Sequence, residues 1–369
     1  MKKIDIVMDL QFGSTGKGLI AGTLATYEGY DTVMTAWAPN AGHTFIDARG
    51  RKYVHTHLAN GIVAPYLKRI MLGPGSVINP AQLFAEIEQC RDHIEAKQIE
   101  IMIHPSAAVV TEEHLVEEAE TMTAIGSTKK GVGAAMISRI RRQVGERIVA
   151  GDFLELTKYV VTRNKFTREI LKSEAILVEG AQGFSLSMYH GFYPYTTSRD
   201  VSTWQVLADV GIPAAFTNNA KLRVVGTART YPIRVANRYD EDGKQVGYSG
   251  PTYVDQKEIT FDKIGQEIEL TTVTKLPRRI FTFSPRQISD AIVHTGAHDI
   301  FLNFVNYVKD ERYLLSIVDA IEETGATIKW LGFGSDIHSV SMLSDQHNYT
   351  SRRHEIIQRW KRFSNKPQS

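Results

Sequence analysis

Residues 3–18 read KIDIVMDLQFGSTGKG, and this stretch decides the fold class. The apolar run Ile4 to Met8 stops abruptly in a polar segment that carries Gly13, Gly16 and Gly18. Glycines let a backbone approach an anion closely, and successive amides there can cradle phosphate oxygens, with Lys17 adding a point charge. The segment is not a Walker A loop. Gly13 to Lys17 is too short a spacing, and Gly18 stands where a Ser or Thr would hold magnesium.

The same pattern recurs along the chain. Thr32 to Trp37 runs into Pro39–Thr44, Ala175 to Val178 into Glu179–Gly183, Ile300 to Phe304 into Asn306, and Ile328 to Phe333 into Gly334–Ser335. Amphipathic stretches of helical period lie between these runs. The clearest has Asn79 as N-cap and Pro80 at the first helical position, and places Leu83, Ile87, Cys90 and Ile94 on one face. Strands alternating with helices predict an α/β chain, a single large domain over residues 1–369 with a mostly parallel central sheet flanked by helices. In such sheets ligands sit beyond the carboxyl ends of the strands, where these polar segments fall. The tail from Ser364 is expected to fray.

The 369 residues are 43% hydrophobic and 23% charged, an ordinary globular composition. A net charge of +2 calls for neither nucleic acid nor a membrane surface as partner. Cys90 is the only cysteine, so the chain forms no internal disulfide and no cysteine-based zinc site. The start, MKKIDIVMDLQFG, has its apolar run broken by Asp5 and Asp9 and is not a signal peptide. No run approaches the roughly 18 apolar residues of a membrane span, so a cytoplasmic location is expected, host cytoplasm if the source is viral.

Several segments together resemble the adenylosuccinate synthetase family. Gln11–Gly18 is similar to its QWGDEGKGK signature, and Asn40-Ala41-Gly42-His43-Thr44 matches NAGHT. Gly126–Gly133 is similar to GTTGRGIGP, and Arg142 falls at a phosphate-binding arginine. Glu179–Gly183 matches EGAQG, Tyr193–Ser198 matches YPYVTS, and Thr271–Arg279 resembles the aspartate-binding loop. The chain resembles the compact archaeal members more than the longer bacterial ones. The resemblance implies a ligase that phosphorylates O6 of a purine monophosphate and then displaces that phosphate with the amine of L-aspartate. It implies catalytic positions at Ser14, His43 and Gln182. It implies a donor site of Ser14, Thr15, Gly16, Lys17, Gly18, Gly42, His43, Thr44, Arg278, Asn306, Gly334 and Ser335. The purine nucleotide would meet Ser14, Asn40, Ala41, Ser127, Thr128, Arg142, Gln182 and Thr197. Aspartate would meet Thr272, Val273, Thr274 and Arg278, and Mg2+ the Gly42 carbonyl and Ser14. Arg142 would come from the partner copy of a homodimer with shared sites.

Three departures from the family pattern carry more information than the matches. Ser14 stands at the family's catalytic Asp, beside Thr15 at the neighbouring Glu. A hydroxyl is a far weaker base than a carboxylate, but it is smaller and leaves room for a 2-amino group on the purine. Asn306 stands at the Asp that reads the guanine of GTP, and its amide offers one donor and one acceptor, which suits adenine. Leu276 stands at an arginine that faces the ribose 2′-hydroxyl. Leucine leaves no buried donor unpaired against a deoxyribose. These departures resemble the 2-aminoadenylosuccinate synthetase branch of the family and predict dGMP as acceptor, ATP or dATP as donor and N6-succino-2-amino-2′-deoxyadenylate as product. The alternatives are a compact enzyme acting on IMP with GTP, and a nucleotide-binding regulator in which Ser14 marks lost chemistry.

Overall fold

The computed structural model describes residues 1–121, 130–240, 242–271, 276–344 and 349–364. Nine strands form the central sheet: β1 (Lys2–Asp9), β2 (Thr32–Thr35), β3 (Arg69–Leu72), β4 (Glu100–Ile103), β5 (Ala175–Glu179), β6 (Ala220–Arg229), β7 (Asp299–Asn303), β8 (Thr327–Gly332) and β9 (Val340–Met342). Their order across the sheet is β9-β8-β7-β6-β1-β5-β2-β3-β4. Every neighbouring pair is parallel except β8 and β9.

Alternate residues of the strands feed two cores. Ile4, Ile6 and Met8 of β1 pack with Ile176 and Val178 of β5 on one face, under helices that include Thr203–Val210, Pro285–Thr295 and Glu311–Glu322. Val7, Leu177, Val33 and Ile70 point to the other face, under α1 (Lys17–Glu28) and α2 (Pro80–Gln89). A sheet covered on both sides explains why most of its strands read as largely apolar runs rather than alternating ones. Asp5, buried in β1, is held by Arg223 of β6 at 2.9 and 2.7 Å and by the Tyr30 hydroxyl at 2.5 Å.

The amphipathic stretch after Asn79 is two helices. The Asn79 side chain accepts from the Gln82 amide and α2 runs to Gln89; Cys90 then leaves helical geometry, and α3 (Arg91–Lys97) follows. Leu83 and Cys90 are buried and Ile87 and Ile94 pack against the same core, so the apolar face is as expected although the rod is broken. The Cys90 thiol sits 3.3 Å from His55 Nε2 at the break. Among the described residues no helix is long and apolar enough to cross a membrane.

Because β1 aligns Asp9 with Thr227 of β6 and Val7 with Glu179 of β5, while Arg229 of β6 aligns with Asn303 of β7, these carboxyl ends form one rim. The chain leaves β1 toward β2 on one side, and β6, β7 and β8 continue on the other. The crevice where strand order diverges therefore lies above β1, the expected place for a ligand.

Candidate active site

The loop after β1 folds around a buried carboxylate. Asp9 Oδ1 accepts from the amides of Gln11 at 2.9 Å and Gly13 at 3.2 Å. Its Oδ2 accepts from the Thr15 amide at 3.4 Å, the Thr15 hydroxyl at 2.5 Å and the Lys17 ammonium at 3.1 Å. Gln11 fastens the loop to β6 through a reciprocal pair, its amide donating to the Arg229 carbonyl and its oxygen accepting the Arg229 N–H. Gly13 and Gly16 take φ values of 94° and 97°, and Ser14 sits at 58°, a conformation that costs a non-glycine residue energy and turns it outward. Gly16 also has no room for a side chain, since a Cβ there would lie 2.3 Å from Nδ2 of Asn303. That same Asn303 amide donates to the Thr15 carbonyl at 3.2 Å and ties the end of β7 to the loop.

A second unit lies across the crevice on the hairpin of His43–Ile46 and Lys52–His55. His43 Nδ1 is 2.8 Å from Oε1 of Glu179, the last residue of β5, and its ring packs 4.1 Å from that of Trp37. Glu179 is itself fixed by the Asn60 amide N–H at 2.9 Å and the Asn60 side chain at 3.1 Å, while its carbonyl accepts from the Trp37 indole. A carboxylate on Nδ1 selects the tautomer and leaves Nε2 for a ligand. Burial holds the His43 pKa below the ordinary imidazole value, against the opposing pull of Glu179, and so favours the neutral ring. Gln182, at φ 61°, donates to Asn40 Oδ1 at 3.2 Å and offers its carbonyl to Lys17 Nζ at 2.7 Å. Asn40, Gln182, Lys17 and Asp9 thus form one connected chain across the crevice.

On the β6–β7 side, the fully buried Arg229 makes a two-point ion pair with Glu269, stacks 3.8 Å from the Phe304 ring centre and donates to the Ser14 carbonyl at 3.4 Å. Glu269 also accepts from the Tyr307 hydroxyl, and these two residues line an open cavity of about 480 Å³ with Gly265, Gln266 and Ile268. Asn306, next in chain to Tyr307, is exposed.

A family model for adenylosuccinate synthetase matches residues 6–155 and 150–329. The chain belongs to the adenylosuccinate synthetase family. Within that family it is 45% identical over 361 residues to the N6-succino-2-amino-2′-deoxyadenylate synthase of Acinetobacter phage SH-Ab 15497, covering 90% of this chain and 92% of that one. It superposes with a TM-score of 0.88, at 42% identity, on the succinoaminodeoxyadenylate synthetase of cyanophage S-2L bound to dGMP and dATP as an energy donor, covering 98% and 99% of the two chains. Adenylosuccinate synthetase from Plasmodium falciparum shares the fold at a TM-score of 0.74 and 18% identity, over 93% of this chain and 100% of that one.

The structure brings Ser14, Gly16, Lys17, Asn40, Ala41, Gly42, His43, Thr44 and Gln182 into one cluster of loops above the sheet. Two residues of the expected donor site also hold the loop in place. The Thr15 side chain is fully buried, bonded to Asp9 and 2.5 Å from the Thr227 hydroxyl, so it braces the loop from beneath. Gly18 is buried where a Cβ would lie 2.6 Å from the Thr44 carbonyl; its missing side chain lets α1 pack on the hairpin. Gly334 and Ser335 follow β8, and Thr197 holds its strap by donating its amide to the Leu186 carbonyl at 2.7 Å. Arg278 donates to the Leu270 carbonyl, and Leu276 closes its loop by exchanging bonds with Thr271. Arg142 is exposed in a left-handed C-cap after the helix Val132–Arg141. Ser127, Thr128, Thr272, Val273 and Thr274 lie outside the described residues, as do residues 365–369 of the expected tail. Sequence reasoning gave no site role to Asp9, Glu179, Arg229, Glu269 or Asn303. Glu179 lay inside a quoted motif, Asn303 inside the run Ile300 to Phe304 and Asp9 two residues before the Gln11–Gly18 motif, whereas Arg229 and Glu269 had no local signal.

Proposed function

We propose that the chain joins L-aspartate to C6 of dGMP, drawing on ATP or dATP, and releases N6-succino-2-amino-2′-deoxyadenylate, the nucleoside diphosphate and phosphate. The observation that carries this reading is Ser14. It is exposed on the phosphate loop at φ 58°, where the family places a carboxylate, and it leaves that space to a 2-amino purine. The relatives at 45% and 42% identity, one of them bound to dGMP and dATP, support the same reading.

O6 of dGMP attacks the γ-phosphorus as N1 gives up its proton to solvent, and the nucleoside diphosphate leaves. The amine of aspartate then attacks C6, the C6–O6 bond breaks, and O6 departs on phosphate. His43 serves the first step. Held through Nδ1 by Glu179, it presents Nε2 to the transferring phosphoryl group, whose charge stabilises the imidazolium and makes Nε2 a charged donor. Lys17 supplies a fixed positive charge at the phosphates, and the Asn40–Gln182 pair holds the purine side of the crevice. Mg2+ would meet oxygen only, from the Gly42 carbonyl and the Ser14 hydroxyl, both on exposed residues. Among the described residues no three His, Cys, Asp or Glu side chains gather as a metal site, so the ion would arrive with the nucleotide. When bound it neutralises charge on the donor phosphates. Arg142 of a second copy completes the 5′-phosphate site in a homodimer. Here it sits on an exposed helix end flanked by exposed Ile140 and Val144, and a guanidinium fork suits a phosphate.

A panel of IMP, GMP, dGMP and dIMP against ATP, dATP and GTP tests the proposal. The dGMP reaction with an adenine donor should have the highest kcat/KM. A higher value for IMP with GTP would assign the chain to ordinary adenylosuccinate synthesis, and tight dGMP binding without diphosphate release would make it a binding protein.

A further inference from the structure

Ser14 and Thr15 leave the phosphate loop without either carboxylate of the family signature, yet Lys17 is almost completely buried in it. A buried ammonium needs a counter-charge. We infer that Asp9 is that charge and acts as the positioning residue for Lys17, which rests on the reading of the loop as the donor-phosphate site.

The geometry separates two jobs on one side chain. Oδ1 takes the amides of Gln11 and Gly13 and shapes the turn. Oδ2 takes the Lys17 ammonium together with the amide and hydroxyl of Thr15. An ammonium has three protons. Asp9 at 3.1 Å and the Gln182 carbonyl at 2.7 Å occupy two of them, fix the direction of the third and leave it for a phosphate oxygen. Gln182 in turn holds Asn40, so the cradle that orients Lys17 is continuous with the purine side of the crevice. Asp9 lies beneath the loop and touches no substrate position. It acts through Lys17.

The Asp9→Asn substitution keeps an acceptor for the turn but puts an amide where three donors converge. In the intact protein, with wild-type turnover of dGMP measured first, it should lower kcat by about 10²–10³, the range for loss of one organised group at a developing charge, while KM for dGMP moves less than about threefold. Lys17→Met should cost a similar factor. The double variant should be no slower than the slower single one, because both remove the same oriented charge. If the two losses multiply, or if KM for dGMP rises in step with the fall in kcat, Asp9 only shapes the loop and the inference fails. A second measurement leaves Asp9 untouched. Lys17→Ala should regain activity with millimolar methylamine or ethylamine, saturably, because the Asp9 and Gln182 oxygens remain to bind an ammonium. Absence of amine rescue overturns the inference. Should the wild type prefer another purine, the same cycle on that purine still decides the role of Asp9, so the substrate assignment and this inference fail separately.

Discussion

Replacing Glu179 by glutamine isolates the charge behind His43. In the wild type, Oε1 faces His43 Nδ1 at 2.8 Å and Asn60 Nδ2 at 3.1 Å, and Oε2 faces the Asn60 amide N–H at 2.9 Å. A glutamine can keep its oxygen on the Asn60 amide and turn its NH₂ toward the histidine. Asn60 Oδ1, buried without a partner, becomes available to accept from that NH₂ if the Asn60 amide flips, so folding should change little. The ring changes tautomer: Nδ1 becomes an acceptor and Nε2 a neutral donor. The phosphoryl group then keeps its hydrogen bond but loses the positive charge behind it. A charged hydrogen bond contributes about 1.5–3 kcal/mol and a neutral one about 0.5–1.5, so the difference is about 1–1.5 kcal/mol. That is roughly a five- to fifteenfold fall in kcat, against about 10²–10³ for His43→Ala. The pH dependence should change as well. Burial lowers the wild-type His43 pKa, so the required imidazolium is scarcer as pH rises and kcat/KM for the donor should fall from pH 6 to 8. The glutamine variant needs no such proton and should lose that slope. Steady-state rates with dGMP, aspartate and ATP over this pH range give both quantities. A variant as slow as His43→Ala, or one that keeps the wild-type slope, would refute the tautomer argument.

Ser14→Asp should shift the kcat/KM preference toward IMP and lower dGMP turnover at least tenfold, since a carboxylate fills the space of the 2-amino group; a variant with full dGMP activity would show that Ser14 makes no such room. Inactive Arg142→Leu and His43→Ala chains, mixed and re-equilibrated, should regain up to about a quarter of wild-type activity as dimers with one intact site form, and sedimentation should show the dimer. Acid should unfold the protein early. Burial, reinforced by Arg163, lowers the His104 pKa to about 4, and burial also lowers those of His43 and His55. Unfolding lets these rings bind protons near pH 6.5, so their contribution is complete above that value and is lost as pH falls toward 4. Melting temperatures between pH 8 and 4 should drop across this window, and His104→Gln should drop less.

The strands that read clearly from sequence were those buried on both faces: Ile4–Met8, interrupted only by Asp5, Ala175–Val178 and Ile300–Phe304 are largely apolar runs that mark β1, β5 and β7. Strand β6 was missed because Lys221 and Arg223 interrupt it, although Arg223 is there to neutralise Asp5 and the strand lies directly beside β1. The short β3 and β4 each open on a charged residue, Arg69 and Glu100, which leaves an apolar run of only three residues to read. The site was legible where its groups are contiguous, as in the loop Gln11–Gly18 and in Asn40–Thr44. It was illegible where the candidate site is built from pairs distant in sequence. His43 with Glu179 and Arg229 with Glu269 are separated by 136 and 40 positions, and only the tertiary fold brings them together. Thr15 shows a detail the motif does not carry: only the fold shows its hydroxyl turned down onto Asp9.

The position of β1 between β5 and β6 has a consequence for how the protein is made. Strand β1 leaves the ribosome with both of its neighbours far downstream, and Gln11 reaches its partner Arg229 across 218 positions. At about 5–20 residues per second, translation takes roughly 10–40 s to deliver that partner. Through that interval an apolar segment with two unpaired edges must be kept from pairing with other nascent chains. The loop Gln11–Gly18, whose shape depends on β6 and β7, is then among the last parts to become organised, so on the proposed reading nucleotide binds there only once most of the polypeptide has been synthesised.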